Sequence, residues 1–265
     1  MKADRLEVLR YFVRERESIR REKEMGFTQP WTKDPILHQY KFCNVKREDD
    51  RTTREIHQVV KDNCPHYRDL PRIYTLARIC NVAHTVDIIL EHPRIWPELI
   101  ADELERGEIM FSNAYTTTPC GRKMTKIEFM VEISEAHKAM TIPDSTCGGA
   151  FRALKSIKGL GDFMAGQIVA DLKHTEYLRY TPDHRIFVVP GPGSIAGLDI
   201  LWGTLDTNTT NFEERIWALW WALPRDIRAM VEDMQNLQNV CCEFAKYWRY
   251  KHGLSRRKRL YPHVG

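Results

Sequence analysis

Hydrophobic residues recur every three or four positions along most of the chain, which is the period of a helix with one buried face. No run alternates with the two-residue period that would predict a β-sheet. Pro30 and Pro35 interrupt the pattern early and predict a non-helical passage there. The sequence therefore predicts an all-α protein with helices over 3–24, 54–62, 70–90, 96–106, 125–139, 211–222 and from Pro224 to about Trp248.

The length of 265 residues is enough for a large hydrophobic core. We find no internal repeat, and we expect one helical domain over residues 1–265. That domain forms either one compact unit or two tightly joined helical lobes, 1–140 and 141–265, with the N-terminal segment packing across both.

Charge and cysteine content limit the class of protein. The net charge is only +4, so any surface for nucleic acid must come from local clustering of basic residues. The seven cysteines are irregularly spaced without a Cys-x-x-Cys pair, which favours free thiols of a cytoplasmic protein and predicts no metal site. No apolar run is long enough to span a membrane.

Two glycines mark a turn between two predicted helices. The pattern apolar-x-Gly-x-Gly-x-x-x-Ala-x-x-Ile is formed by Ile157, Gly159, Gly161, Ala165 and Ile168. Such a turn exposes the first N–H groups of the second helix, and a DNA phosphate can accept them. We therefore predict DNA contacts at Lys158, Gly159 and Gly161. The alternative is an ordinary corner between two helices.

The C-terminal sequence SRRKRLYP is basic and contains Arg256 and Arg257. Clustered arginines and lysines are typical of phosphate contacts. We predict that these two arginines also contact DNA, and the alternative is a solvated chain end.

An isolated acid, Asp183, follows the glycine turn by about twenty residues in the sequence PDHRIF. A carboxylate near helix N-termini can act as a base or stabilise a developing cation. We expect Ile186 and Phe187 to anchor a helix that begins just after Asp183, so the alternative role is an N-cap. His184 and Arg185 lie beside the acid and are predicted to face a substrate anion.

Arginines and acids alternate in a loop that follows the two prolines. Its polar residues are Asn44, Arg47, Asp49, Asp50, Arg51 and Thr53. Arginine can bind a phosphate or pyrophosphate through two hydrogen bonds, and acids can orient the arginine or hold Mg²⁺ through water. We predict a catalytic set of Asp183, Arg47, Asp50 and Arg51, with Asn44 binding substrate. A solvated network of ion pairs is the alternative.

A glycine-rich segment follows Asp183. Gly191, Gly193 and Ser194 can present backbone N–H groups to an anion. No lysine follows these glycines, so the match to known phosphate loops is poor. We include the three residues in the predicted substrate site and keep a tight connection between helices as the alternative.

The glycine turn and Asp183 together resemble the helix-hairpin-helix DNA glycosylase superfamily. Bifunctional members have a lysine two residues after the second glycine, where this chain has Phe163. The iron–sulfur cysteines of one branch are also missing. The resemblance therefore implies a glycosylase-like fold without strand-cutting lyase activity.

Three segments resemble motifs of the α-glutamyl/putrescinyl-thymine pyrophosphorylase family, a divergent branch of that superfamily found in bacteriophages that hypermodify thymine. The segments are PWTKDPILHQYKFCNVKREDDRTT (Pro30–Thr53), GPGSIAGL (Gly191–Leu198) and CEFAKYWR (Cys242–Arg249). The family includes the helical domain fused to 5-hydroxymethyluracil DNA kinases. The resemblance implies a transferase that replaces the pyrophosphate of 5-pyrophosphoryloxymethyl-uracil in DNA with an amino acid or amine.

This resemblance also implies the partners. They are double-stranded DNA carrying modified thymine, a free amino acid or polyamine, and a DNA kinase, in the cytoplasm of an infected bacterium. Arg47 and Arg51, with His184 or Arg185, would neutralise the departing pyrophosphate, with Mg²⁺ as the one cofactor considered.

The sequence has no Gly-x-x-x-x-Gly-Lys-Ser/Thr motif, so the chain does not hold the phosphate-binding loop of a kinase. This favours a separate transferase. Two alternatives remain: a non-catalytic DNA-binding partner of a DNA kinase, and a monofunctional glycosylase that hydrolyses the N-glycosidic bond of a modified base. The identity of the amine or amino acid is not predicted.

Overall fold

The computed structural model describes residues 1–64, 66–112 and 123–254, and every regular element in them is a helix. This confirms the all-α prediction. The glycosylase-like arrangement stays a prediction. In chain order the α-helices are α1 (Ala3–Glu24), α2 (Pro35–Gln39), α3 (Arg51–Asn63), α4 (Leu70–Cys80), α5 (Ala83–Glu91), α6 (Trp96–Glu105), α7 (Lys126–Lys138), α8 (Cys147–Ser156), α9 (Asp162–Leu172), α10 (Pro192–Trp202), α11 (Phe212–Ala222), α12 (Arg225–Val231) and α13 (Met234–Lys251).

Two helices that the sequence predicted as continuous are each broken once. Asn81 adopts a left-handed conformation with φ 52° and ends α4. Glu232, with φ 74°, ends α12, and the side chain of Asp233 then accepts a hydrogen bond from Asn236 N–H to cap α13. The hydrophobic period continues through both breaks, so periodicity alone did not locate them. Asn after a helix and Asp before one are the local signals.

No helix begins directly after Asp183, contrary to the prediction. Residues 182–186 form consecutive turns, and the next helix, α10, begins at Pro192. Ile186 is 50% exposed and therefore does not anchor a helix. The N-cap role predicted for Asp183 at that position is consequently wrong.

The chain folds into two compact units. Unit 1 contains residues 1–50 together with the chain from Val188 onward, and unit 2 contains residues 51–187. The two lobes considered from the sequence, 1–140 and 141–265, do not coincide with these units, and the single domain over 1–265 stays a prediction. Among the described residues, no helix has both the length and the apolar character needed to cross a membrane.

Each unit has its own hydrophobic core. In unit 1, α13 packs against α1, α2, α10, α11 and α12, with Phe12, Phe244 and Tyr247 among the buried residues. In unit 2, α4 packs against α5, α7 and α9, with Phe129 and Ile168 in the core.

Helices α10 and α13 approach closely because α10 has glycines at two positions that face α13. A Cβ on Gly197 would overlap the backbone carbonyl of Cys241, and a Cβ on Gly193 would overlap the Cys242 side chain. Gly197 is buried. The spacing of four residues places both glycines on one face of α10.

We expect Gly197→Ala to destabilise the protein by about 1–3 kcal/mol, because the obstacle is backbone and the helices must separate. Gly193→Ala should cost less, since the Cys242 sulfur can rotate away. Urea unfolding of both variants tests this order. If the two variants lose equal stability, or if Gly197→Ala loses none, α10 and α13 are not held at the close distance that these glycines allow.

Candidate functional site

In unit 2, the carboxylate of Asp183 binds the start of α8. Its Oδ1 accepts a hydrogen bond from Cys147 N–H at 2.8 Å, and its Oδ2 accepts one from Gly148 N–H at 2.9 Å. Burial raises the pKa of Asp183, but these two hydrogen bonds outweigh it, and the net pKa is lowered. Asp183 is therefore a fixed anion at the N-terminus of a helix that precedes it in sequence.

The surroundings of Asp183 keep the nearby thiol protonated. Cys147 Sγ lies 3.2 Å from Thr181 Oγ1. Burial raises the pKa of Cys147 to about 11, and the charge of Asp183 adds to this while Lys173 opposes it. Lys173 is itself only 1% exposed. A protonated thiol is a poor nucleophile, so Asp183, and not Cys147, carries negative charge here.

The two residues that follow Asp183 differ in exposure. His184 is half-buried, and its Nε2 lies 3.0 Å from the carbonyl oxygen of Lys173. Arg185 is exposed. Their predicted role in binding an anion stays a prediction.

The predicted glycine turn joins α8 to α9. Gly159 has φ 102°, and a Cβ there would lie 2.6 Å from the Phe129 ring. Glycine is therefore required at this position by backbone conformation and by packing. Gly161 and Lys158 are exposed, and Phe163 is 44% exposed. DNA contacts by this turn stay a prediction.

A buried ion pair that the hydrophobic pattern does not predict connects α4 to α9. The Arg78 guanidinium donates two hydrogen bonds to the Asp171 carboxylate, and both side chains are almost fully buried. His57 Nε2 lies 3.8 Å from Asp171 Oδ1, and His57 Nδ1 lies 2.5 Å from Tyr74 Oη. Burial lowers the pKa of His57 to about 4 although Asp171 opposes this, so the imidazole is neutral.

In unit 1, the loop containing Asn44, Arg47 and Asp50 packs on α13. Arg47 N–H donates to Asn236 Oδ1 at 3.1 Å, and Asn239 Nδ2 donates to the carbonyl of Asn44 at 3.1 Å. Within the loop, Asn44 N–H donates to Asp50 Oδ1 at 2.9 Å. The carboxamides of α13 therefore fix the backbone of the predicted substrate-binding loop.

Charges gather where this loop meets α13. The pKa of Asp50 is raised, mainly by burial and also by the negative charge of Glu243. The Asn44 N–H and the Arg47 guanidinium lower this pKa, but by less. Cys43 N–H donates to Glu243 Oε2 at 2.9 Å. Arg47 therefore lies close enough to act on the Asp50 carboxylate electrostatically.

Arg16 on α1 supports the same loop and was not predicted. It is 2% exposed, and its guanidinium donates to the carbonyls of Phe42 and Cys43 at 3.1–3.2 Å. Its Nη1 is buried without a hydrogen-bond partner among the described residues. Its role could have been suspected from the sequence, because Arg16 is a charged residue three positions after Val13, on the apolar face of α1.

Arg51 forms an ion pair within its own helix. It is the first residue of α3, its side chain is 84% exposed, and its Nε lies 3.3 Å from Glu55 Oε1. Arg51 also begins unit 2. Its predicted catalytic role stays a prediction.

The glycine-rich segment begins α10. Ser194 Oγ accepts a hydrogen bond from Gly191 N–H at 3.0 Å, and Gln238 Nε2 donates to Ser194 Oγ at 3.3 Å. Ser194 is completely buried. These contacts make Gly191 and Ser194 part of the helix start, and substrate binding by Gly191, Gly193 and Ser194 stays a prediction.

Unit 1 therefore brings residues 30–50 of the first segment together with the second and third segments that carry the family resemblance. The first contacts the third through Cys43 and Glu243. The second contacts the third where Gly193 packs on Cys242. Asn236 and Asn239 were not predicted, because they interrupt the hydrophobic pattern of α13. Two carboxamides at buried positions of a core helix need hydrogen-bond partners, and this could have indicated a contact with another segment.

Some of the predicted DNA-binding residues lie outside the described residues. Arg256 and Arg257 fall outside them. Within the described ranges, no three His, Cys, Asp or Glu side chains gather in a way that could hold a metal ion. The six cysteines in these ranges are free thiols.

Comparison with known proteins identifies relatives of this chain. The family model of the 5-hmdU DNA kinase helical domain matches residues 3–257. A 5-hmdU DNA kinase of Bacillus phage SP10 is 23% identical over 293 residues, covering 91% of this chain and 44% of that protein. The chain thus spans less than half the length of this relative, and no solved structure matches. The chain belongs to the family of the 5-hmdU DNA kinase helical domain.

Proposed function

We propose that this protein is a DNA-modifying transferase of phage thymine hypermodification. It displaces pyrophosphate from 5-pyrophosphoryloxymethyl-uracil in DNA with an amino acid or amine. The observation that carries the proposal is the convergence of three distant segments on α13, with Asn44, Arg47 and Asp50 at the junction. The relationship to a 5-hmdU DNA kinase supports a role on modified thymine in phage DNA.

The reaction is a substitution at the methylene carbon attached to the uracil ring. The incoming ammonium first gives one proton to bulk water, and the nitrogen lone pair that this frees then forms the new C–N bond. The C–O bond to pyrophosphate breaks, and its electron pair leaves with the pyrophosphate. Arg47 is proposed to neutralise that leaving group, since a guanidinium can bind phosphate oxygens through two hydrogen bonds.

Asp183 is proposed to act as an anion that stabilises positive charge developing on the uracil methylene. An efficient general base has a pKa near the working pH. The lowered pKa of Asp183 therefore favours electrostatic stabilisation over proton removal. Mg²⁺ bound to the pyrophosphate would neutralise further negative charge on the leaving group.

DNA binding is assigned to the turn between α8 and α9. A base in a duplex must leave the stack before an enzyme can act on it. Exposed Lys158 and Gly161 are suited to contact the phosphates that flank such a base.

A second candidate is a non-catalytic, DNA-binding partner of a DNA kinase. The observation that favours it is the family model itself, which describes a domain of a kinase, together with the 44% coverage of the kinase relative.

Product analysis distinguishes these functions. The purified protein is incubated with DNA carrying 5-pyrophosphoryloxymethyl-uracil and with pools of amines and amino acids, and the nucleosides are then analysed by mass spectrometry. A transferase gives a new nitrogen-linked nucleoside. A non-catalytic partner binds the DNA and leaves the base unchanged, and a glycosylase leaves abasic sites.

A further inference from the structure

A cleft of about 490 Å³ in unit 2 lies between the start of α4, the start of α6 and the second half of α7. The turn before α6 forms part of its wall. None of its lining residues belongs to the Asp183 group, to the glycine turn or to the loop that packs on α13. Sites for small molecules have volumes of roughly 300–1,000 Å³, so the cleft is large enough for one.

Three of the lining residues are cations, and they differ in how closely they are paired. Lys138 Nζ lies 2.6 Å from Glu135 Oε1. Arg72 Nε lies 3.8 Å from Asp69 Oδ1, which is too far for a hydrogen bond. The Arg94 guanidinium is exposed and has neither an ion pair nor a hydrogen bond to another described residue. Arg72 and Arg94 can therefore both donate to an incoming anion.

Ser134 provides a further donor in the same cleft. It lines the cleft and is 5% exposed, and its hydroxyl has no hydrogen-bond partner among the described residues. Ser134 is on α7, one turn before Lys138, so both lie on one face of that helix. A buried hydroxyl without a partner costs free energy. A phosphate oxygen in the cleft would accept a hydrogen bond from it.

The remaining wall of the cleft is apolar. It is formed by Pro93, Trp96, Pro97 and Val131. An inorganic ion would bind the cations and leave this apolar surface in contact with water. A molecule with a phosphate at one end and a ring system at the other would cover both kinds of surface. The walls therefore match an organic phosphate better than an inorganic ion.

We propose that this cleft binds a free nucleotide. The phosphate is held by Arg72, Arg94 and the Ser134 hydroxyl, and the sugar and base lie against the apolar wall. The site goes beyond the proposed function, which uses none of these residues, and the nucleotide is bound without any bond being made or broken. Pro93 and Val131 have no polar side-chain atoms, so purine and pyrimidine nucleotides should bind with similar affinity.

Calorimetry on the full chain without DNA tests this proposal. The ligands are adenosine monophosphate and uridine monophosphate, and the two parts of the latter, uridine and orthophosphate, are also measured alone. Arg94→Glu reverses the charge of an exposed residue just before α6. Ser134→Ala removes the unpartnered hydroxyl. Arg106→Glu is the control, because it reverses an exposed charge just after the same helix.

We expect Arg94→Glu to bind both nucleotides about tenfold more weakly and Ser134→Ala about threefold more weakly, because each variant loses a donor to the phosphate. Arg106→Glu should stay within about twofold of the unmodified protein. Uridine and orthophosphate should each bind about tenfold more weakly than uridine monophosphate, since each covers only one kind of surface.

Three results of these titrations would overturn the proposal: neither nucleotide binds, both variants keep the affinity of the unmodified protein, or orthophosphate binds as tightly as uridine monophosphate. Affinity for an unmodified DNA duplex is measured on the same variants. If Arg94→Glu loses DNA affinity, Arg106→Glu does not and no nucleotide binds, the cleft is part of a DNA-binding surface and the proposal is wrong. None of these measurements involves base modification, so the proposed function stands or fails separately.

Discussion

Asp183→Asn should lower the rate of base modification by about 10²–10⁴-fold while DNA affinity stays within about twofold. The variant keeps the size of the side chain and removes its negative charge. The amide can accept only through one oxygen, so one of the two N–H groups at the start of α8 loses its acceptor. The loss in rate follows because the developing positive charge has no fixed anion beside it.

Single-turnover rates and DNA affinity, measured on the same preparations, check this expectation. Asp87→Asn is a suitable control, because Asp87 is a surface acid of unit 2 that accepts a hydrogen bond from Asn63. The lost hydrogen bond at Asp183 should cost about 1–3 kcal/mol of stability, so rates are compared well below the unfolding transition. A wild-type rate in Asp183→Asn means that the carboxylate has no catalytic role.

Asp171→Ala should destabilise the protein by about 3–5 kcal/mol, because it removes the carboxylate that accepts two hydrogen bonds from the buried Arg78 guanidinium. Both side chains are about 95% buried, so water cannot replace the carboxylate. The pair connects α9, the second helix of the glycine turn, to α4. Its loss should therefore loosen the helix whose N-terminus is proposed to contact DNA.

Urea unfolding measures this loss of stability, and two further variants serve as comparisons. Asp162 is on α9, like Asp171, and its half-exposed carboxylate pairs with Lys155. Asp162→Ala should therefore cost less than about 1 kcal/mol. Arg78→Met with Asp171→Leu removes both charges and should recover most of the lost stability. A cost for Asp171→Ala no larger than that for Asp162→Ala would show that the buried ion pair does not stabilise the protein.

The sequence was most informative where a local pattern decides the structure. The hydrophobic period predicted both ends of α1, α6, α7 and α11 to within one residue, because each presents one continuous apolar face. The glycine turn was also predicted, since positive φ at Gly159 restricts that position to glycine. The helix breaks at Asn81 and Glu232 were missed because the apolar face continues across them.

Contacts between distant parts of the chain were not predictable from periodicity. The first 50 residues fold with the chain from Val188 onward, and no local signal specifies that pairing. For the same reason, the sequence located Asp183 but not its partner, since the start of α8 lies about 35 residues earlier. Arg16 and the carboxamides of α13 were missed because they occupy core positions usually filled by apolar residues.

The most direct test of the proposed function is the stoichiometry of a single turnover. DNA with a known amount of 5-pyrophosphoryloxymethyl-uracil is mixed with excess protein and amine, and released pyrophosphate and nitrogen-linked nucleoside are both counted. The proposed transferase releases one pyrophosphate for each nitrogen-linked nucleoside and produces no abasic site. Bound DNA with no pyrophosphate released, or abasic sites in place of the new nucleoside, would contradict the proposed function.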